Sequence, residues 1–256
     1  MRYAPPRFLF RLYEVMKITR RGNRFLEIGP GNLMLALELL AKFDTGTLID
    51  FNTTNVEQIF NSLSNDKKRK MKLVIADFSE YDGSEEMFNC VVFCEVLEHV
   101  EEDGEFLKKV HNLLAKDGQI VLSVPSRQKY WSIHDEIVGH KRRYEKVELA
   151  QKLTNAGFSQ VKIISYGFPF INITRLARIA LASLQYREKS KWDSKTQTQQ
   201  SSFNIKPSPL LDLISILINK YTFLPLSLLA SLFNDLDLSD GYVATAIKST
   251  NAQETS

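Results

Sequence analysis

The chain has 256 residues, 44% of them hydrophobic, which is enough for one complete α/β core with an appendage. Its 33 basic and 30 acidic residues leave a formal charge of +3, without the strong basic excess of a nucleic-acid binder. Cys90 and Cys94 lie four apart in one apolar run; on a strand they share a face, sit too far apart for a disulfide, and read as reduced thiols of a cytoplasmic protein.

The amino terminus, Met1-Arg-Tyr-Ala-Pro-Pro-Arg7, lacks the apolar stretch of a secretory signal. Pro5 and Pro6 start an amphipathic helix over 7–18, expected to lie over the ligand crevice. A strand over 24–28 runs into Gly29-Pro-Gly31, and a helix over 32–42 follows at once. Gly29 and Gly31 can take backbone angles closed to other residues, which lets a ligand touch the main chain. The free N–H groups of the helix then face that ligand. Next come a strand at 47–50, a helix near 56–63, and a charged connection at 65–70 that reads as a solvated loop. Strands are predicted at 72–76 and 89–94, then a helix at 104–114 that stops at Lys116-Asp-Gly118. A strand at 119–124, a helix at 146–156 stopping at Gly157, and a strand at 161–165 follow. This alternation predicts a parallel sheet. A last strand, 242–248, comes after the turn Ser239-Asp-Gly241.

Two regions fall outside the minimal fold. Residues 168–186 read as an amphipathic helix carrying Arg175 and Arg178, and 187–208 as a polar, mobile loop. Residues 210–236 are strongly apolar, but their cleanest stretch, 221–233, is shorter than the about 20 residues that span a bilayer. Three readings stand for this region: a helical cap over a substrate pocket, a peripheral contact with the inner face of a membrane that holds a lipid-linked substrate, and a homodimer interface. The expected division is 1–168 with 237–250 as one ligand-binding domain, and 169–236 as the cap.

The glycine turn does not fit a dinucleotide site. The third glycine of that pattern is absent, with Leu33 and Met34 at the two positions where it would fall. Instead, acids close successive strands: Glu27 just before the turn, Asp50 after Thr47-Leu-Ile, and Asp77 after Leu73-Val-Ile-Ala. In a doubly wound sheet these carboxyl ends converge on one crevice. Such a ring repels a pyrophosphate and suits a cationic, donor-rich nucleoside such as S-adenosylmethionine. The plainer alternative is that Asp50 and Asp77 are ordinary loop acids.

At these residues the chain resembles the class I S-adenosylmethionine-dependent methyltransferases, over roughly residues 20 to 168. The stretches that carry the resemblance are Phe25-Leu-Glu-Ile-Gly-Pro-Gly31, Leu48-Ile-Asp50, Ile75-Ala-Asp77, Cys94-Glu-Val-Leu-Glu-His-Val100, Leu113-Leu-Ala-Lys-Asp-Gly118 and Ile120-Val-Leu-Ser-Val-Pro125. The resemblance points to the branch that includes ubiquinone-pathway O-methyltransferases. It implies a Rossmann-like sheet, mostly parallel, whose last strand inserts antiparallel after a helical cap. It also implies that Glu27, Gly29, Pro30 and Gly31 line the methionine end of the cofactor, that Asp50 holds the ribose, and that Asp77 with Phe78 meets the adenine. Cys94 and Glu95 would sit beside the cofactor.

Two further clusters carry possible chemistry. If 95–99 enters a helix, Glu95, Glu98 and His99 share one face and can hold a divalent metal, which polarises an acceptor hydroxyl. By resemblance His140, or else His134, completes that site; the alternative is a structural loop. The patch from His134 to Tyr144 mixes bases with Lys141, Arg142 and Arg143. His134 and His140 are the candidate general bases, with His140 preferred. The two arginines either clamp an anionic acceptor or pair with Glu145, Glu148 or other surface acids. The expected activity is methyl transfer to a small-molecule, glycan or lipid-linked acceptor, through oxygen rather than nitrogen. A non-catalytic, scaffolding member of the same fold is the alternative.

Overall fold

The computed structural model describes residues 4–51, 53–83, 86–189 and 218–249. Helix α1 (Pro6–Ile18) opens the chain, with proline in its first turn where no backbone N–H is needed. Then come β1 (Gly22–Ile28), α2 (Met34–Leu39), β2 (Phe43–Asp50), α3 (Thr53–Asn61), α4 (Asn65–Arg69) and β3 (Met71–Ile75). The second half holds β4 (Phe88–Cys94), α5 (Asp103–Leu113), β5 (Leu114–Pro125), α6 (Ile133–Val138), α7 (Lys146–Asn155) and β6 (Phe158–Ser165). The chain continues through α8 (Phe170–Lys189), α9 (Leu224–Ser231) and β7 (Gly241–Lys248).

The strands form one seven-stranded sheet in the order β3-β2-β1-β4-β5-β7-β6. All neighbours pair in parallel except β7, which inserts antiparallel between β5 and β6. The strand order reverses between β1 and β4, and a ligand crevice is expected at that point. Alternation along the strands sorts side chains into two cores. Leu26, Val91, Phe93, Leu122 and Ala244 pack on the face covered by α5 and α7. Phe25, Leu48, Cys90, Val92 and Val121 pack on the face covered by α1 and α2. Glu27, Asp50 and Cys94 fall by the same alternation on the α1 face. Cys90 and Cys94 are free and share that face.

Several elements differ from the sequence expectation: α2 covers only Met34–Leu39 of the expected 32–42, and α6 was not expected. The charged stretch at 65–70 is a short helix, and its Asp66 and Arg69 pair one turn apart. Strand β5 begins at Leu114, with Asp117 at φ +57° inside it, so the Lys-Asp-Gly turn is an irregularity of the strand rather than a break before it. The helix expected at 168–186 is α8; of the predicted mobile loop at 187–208, residues 190–208 lie outside the described residues. Helix α8 packs on α6, and α9 packs on α1.

Candidate active site

The crevice at the carboxyl ends of β1, β4 and β5 contains a cavity of about 330 Å³. Its walls include Glu27, Gly29, Pro30, Gly31, Cys94 and Glu95 on the sheet side. Arg7, Phe8 and Arg11 of α1 cover it, as expected of the first helix, and His99, His134 and His140 close the far wall.

The glycine turn is built as its sequence requires. Gly29 lies at φ +70° and Gly31 at φ +49°. A side chain on Gly29 would meet Val96 Cγ2 at 2.8 Å, whereas Gly31 opens onto empty space. Leu33 takes φ +61° as the N-cap of α2, with its side chain buried. The Gly31 N–H donates to Asp50 Oδ2 at 3.3 Å, which ties the end of β2 to the turn. Glu27 is buried, and its Oε2 accepts no hydrogen bond. Burial, then the nearby Asp50, pushes its carboxyl up to about 8, with Arg11 opposing. A buried acid with an unused oxygen beside an open glycine turn suits a cationic ligand group.

The adenine-end residues are placed differently. Asp50 is buried beside the turn but does not line the cavity. Asp77 is exposed, and its Oδ1 accepts from the Ser79 backbone and hydroxyl. Phe78 is buried in the core against Phe106 and does not line the cavity, so its ring is not open to an adenine.

After β4 the backbone turns at Glu95 (φ +55°), an unfavoured conformation for a residue with a side chain, and then forms a single 3-10 turn, Leu97–His99. The expected helical face through Glu95, Glu98 and His99 therefore does not form. Glu95 points toward α1 instead. Its carboxylate accepts from Ser123 Oγ at 2.9 Å and pairs with Arg7 at 3.2 Å and Arg11 at 3.3 Å. Burial raises the Glu95 carboxyl, but the two guanidiniums outweigh it and hold the group down at about 2. Arg7 and Arg11 did not figure in the sequence reading. Their i, i+4 spacing on one helix face was the available signal.

Glu98 points the other way. It is fully buried, and neither carboxylate oxygen accepts a hydrogen bond. Burial, then the charge of Glu95, holds its carboxyl well above the ordinary range. His140 Nε2 lies 3.6 Å from Glu98 Oε1, and the rings of His99 and His140 meet edge to face at 4.9 Å. Ligand atoms of Glu98, His99 and His140 all lie within 4.8 Å of one another. These three residues, without Glu95, fit a divalent ion: one carboxylate with unused oxygens and two imidazoles. Burial, then His140, lowers His99 to about 4, so it is a neutral imidazole at pH 7, with Nδ1 on the Gly139 carbonyl at 3.1 Å.

His140 is held from behind. Its Nδ1 lies 2.8 Å from Asp135 Oδ1, in a carboxylate that also receives Arg143 Nε at 2.8 Å and Nη2 at 3.0 Å. Asp135 is fully buried; burial raises it, but the bonds from His140 and Arg143 hold it well below the usual range. When Nδ1–H donates to this carboxylate, the neutral ring carries its lone pair on Nε2, which lies toward Glu98. His134 lines the same wall. The arginines pair with acids, but internal ones. Arg143 is buried between Asp135 and Asp240, and Arg142 binds Asp103. Glu145 and Glu148, expected as their partners, form the capping box of α7. Burial pushes the Cys94 thiol up to about 11, so it stays protonated at neutral pH and is no nucleophile.

Residues 1–163 match the family described as a methyltransferase domain. A Thermotoga maritima S-adenosylmethionine-dependent methyltransferase superposes with a TM-score of 0.57 at 16% identity, over 95% of this chain and 91% of that one. A chain of the complex formed with the Haloferax volcanii Trm112 methyltransferase activator gives 0.58 at 10% identity, over 94% and 90%. A Haemonchus contortus phosphoethanolamine N-methyltransferase, solved with S-adenosylhomocysteine, gives 0.57 at 14%, over 96% and 53%. At such identities the likeness establishes the fold. No curated protein matches the sequence. The chain belongs to the methyltransferase-domain family and is a class I S-adenosylmethionine-dependent methyltransferase.

Proposed function

We propose that this enzyme methylates a hydroxyl group on a small-molecule, glycan or lipid-linked acceptor, with His140 as the general base. The observation that carries the reading is the Asp135–His140 pair at the cavity wall. Asp135 fixes the imidazole by Nδ1 and stabilises the charge that forms when Nε2 takes the hydroxyl proton. An amine acceptor, once unprotonated, needs no such base. The acceptor oxygen attacks the methyl carbon in line with the departing thioether, and α1 excludes water from above. Glu27 takes the ammonium of the methyl donor, the main chain of Gly29–Gly31 lies along it, and Asp50, behind the cavity wall, holds the turn in shape through the Gly31 N–H.

A second element favours oxygen chemistry. Glu98, His99 and His140 are the residues that would hold a divalent ion, which would lower the pKa of the acceptor hydroxyl; His140 Nε2 would then serve as a ligand, and the ion would replace it as the group that activates the hydroxyl. The orphaned oxygens of Glu98 are the observation behind this. Residues 169–236 act as a cap that sets acceptor choice; removing residues 170–236 should abolish turnover and leave cofactor binding measurable.

The test is methyl transfer from labelled S-adenosylmethionine into a cell extract, by wild type and by His140→Ala. Labelled products stable to acid and lost in the variant, with donor binding retained, support the reading. Equal labelling by the variant, or label found on amines alone, overturns it.

A further inference from the structure

Helix α9 carries its apolar residues on the outside. Its buried positions are the small Ser227 and Ala230, while Leu224, Leu226, Leu228 and Leu229 face solvent. Leu232, 75% exposed, and then Leu236 and Leu238 extend the same face. The small residues let α9 lie against α1, but an ordinary surface helix would turn its leucines inward. The surface continues onto α8. The Leu238 carbonyl accepts from Asn172 Nδ2 at 2.8 Å, and the adjacent turn of α8 exposes Ile173 and Leu176. Monomeric proteins rarely leave so many contiguous leucines in water.

The rim has a charge pattern of its own. On one side Tyr130, whose hydroxyl donates to the Leu238 carbonyl, has Lys129 at 5.4 Å and Arg175 at 4.8 Å from its ring. On the other, the exposed Tyr221 has Lys220 at 5.1 Å. Between Tyr221 and Phe233 the sequence holds no charged residue. Of the acids on this side, Glu38 pairs with Lys220 and Asp237 with Arg127, while Asp235 is exposed. No helix among the described residues is long and apolar enough to cross a membrane.

We propose that this face docks on an anionic lipid bilayer, with the leucines at the acyl boundary and the tyrosines and cations among the headgroups. Leucines flanked by tyrosine–cation pairs match the layering of such an interface. A second copy of the chain is the competing occupant, but it would leave the tyrosine–cation pairs at the two edges without the headgroup layer that they match, and the experiment separates the two. Helices α1 and α6, which carry α9 and α8 on one side, line the cavity with Phe8, Arg11, His134 and Val138 on the other. Docking therefore brings the cavity to the membrane. Docking does not depend on the hydroxyl-methylation reading; delivery of a lipid-linked acceptor does.

The experiment is co-flotation of the full chain with phosphatidylcholine vesicles, with and without phosphatidylglycerol. The wild type should float with the anionic vesicles and less with the neutral ones. The combined Leu228→Asp, Leu229→Asp and Leu232→Asp variant should lose about tenfold or more of that partitioning. Calorimetry with S-adenosylhomocysteine checks that the variant keeps its site. Leu232→Ser alone, at the most exposed of these positions, should cost about threefold and puts no fold at risk. Failure of the wild type to float with either vesicle overturns the proposal, as does undiminished flotation of the triple variant. A wild-type dimer in light scattering that the triple variant loses assigns the face to a second copy and overturns it equally.

Discussion

Glu95 and Glu98 sit three residues apart after β4, and the fold treats them in opposite ways. Glu95 turns toward α1, where two arginines and a serine hydroxyl satisfy it and hold it at about 2. Glu98 turns toward His140, is fully buried, and keeps both oxygens unbonded, with its carboxyl held high. The side facing α1 is thus electrostatically complete, and the side facing the His99–His140 pair is not. Buried polar groups without partners are costly, so an incomplete cluster beside a cavity marks the side where chemistry or a further ligand belongs.

The largest effect should come from the incomplete side. His140→Ala is expected to lower kcat by about 10²–10⁴ on a hydroxyl acceptor and leave donor affinity within about twofold. A variant that lost both together would move His140 from catalysis to architecture.

Breaking the complete side should cost stability instead. Glu95→Ala strands Arg11 and leaves Arg7 with Asp240 alone, at about 3 kcal/mol in urea unfolding. The sign with pH follows from the lowered carboxyl. The contribution is fully present above about 4.3, the unfolded value, and is lost as pH falls from there toward about 2. Wild type and variant should draw together as pH falls below about 4 and converge only below about 2. A gap that persisted in acid would mean that packing, not charge, is what Glu95 supplies.

Glu98→Gln should do the reverse. The folded carboxyl sits above its unfolded value, so the native state binds more protons and stability falls as pH rises past about 4.3. The variant should match the wild type at low pH and gain on it toward neutrality. Manganese or zinc should bind the wild type and not the variant, and should raise the wild-type melting temperature. Equal melts across pH with no metal effect would erase the contrast between the two carboxylates.

The smallest effect falls at the donor end. Glu27→Gln is expected to weaken S-adenosylhomocysteine by about tenfold through loss of one charge-assisted contact. A change below twofold would place the ammonium elsewhere.

The sheet was legible because strand periodicity and the glycine turn are local signals. Strands β1 to β4 begin within a few residues of their predicted starts; the antiparallel insertion of β7 was supplied by the family resemblance, not by a local signal. Much of the site depends on the chain meeting itself. Glu95 and Glu98 looked like one helical face, but the φ of +55° at Glu95 sends them apart, and nothing in the residue type announces that angle. Arg143 reads as a surface cation beside Glu145, yet Asp240 from the far end of the chain reaches it at 2.6 Å. Phe78 follows a strand-end acid as an adenine contact would, but Phe106 of α5 draws it into the core. His140 was identified from its type and place, and only the fold supplies Asp135 behind it.

The central claim is that the crevice at the strand ends, with a protonated Glu27 at its floor, binds the ammonium-bearing end of the methyl donor. Calorimetric titration with S-adenosylhomocysteine at pH 7, in buffers of different ionisation enthalpy, tests it directly. One-to-one binding with release of close to one proton, absent in Glu27→Gln, is the predicted result, because a bound ammonium must ionise a carboxyl raised to about 8. No binding, or binding with no proton released by the wild type, would contradict it.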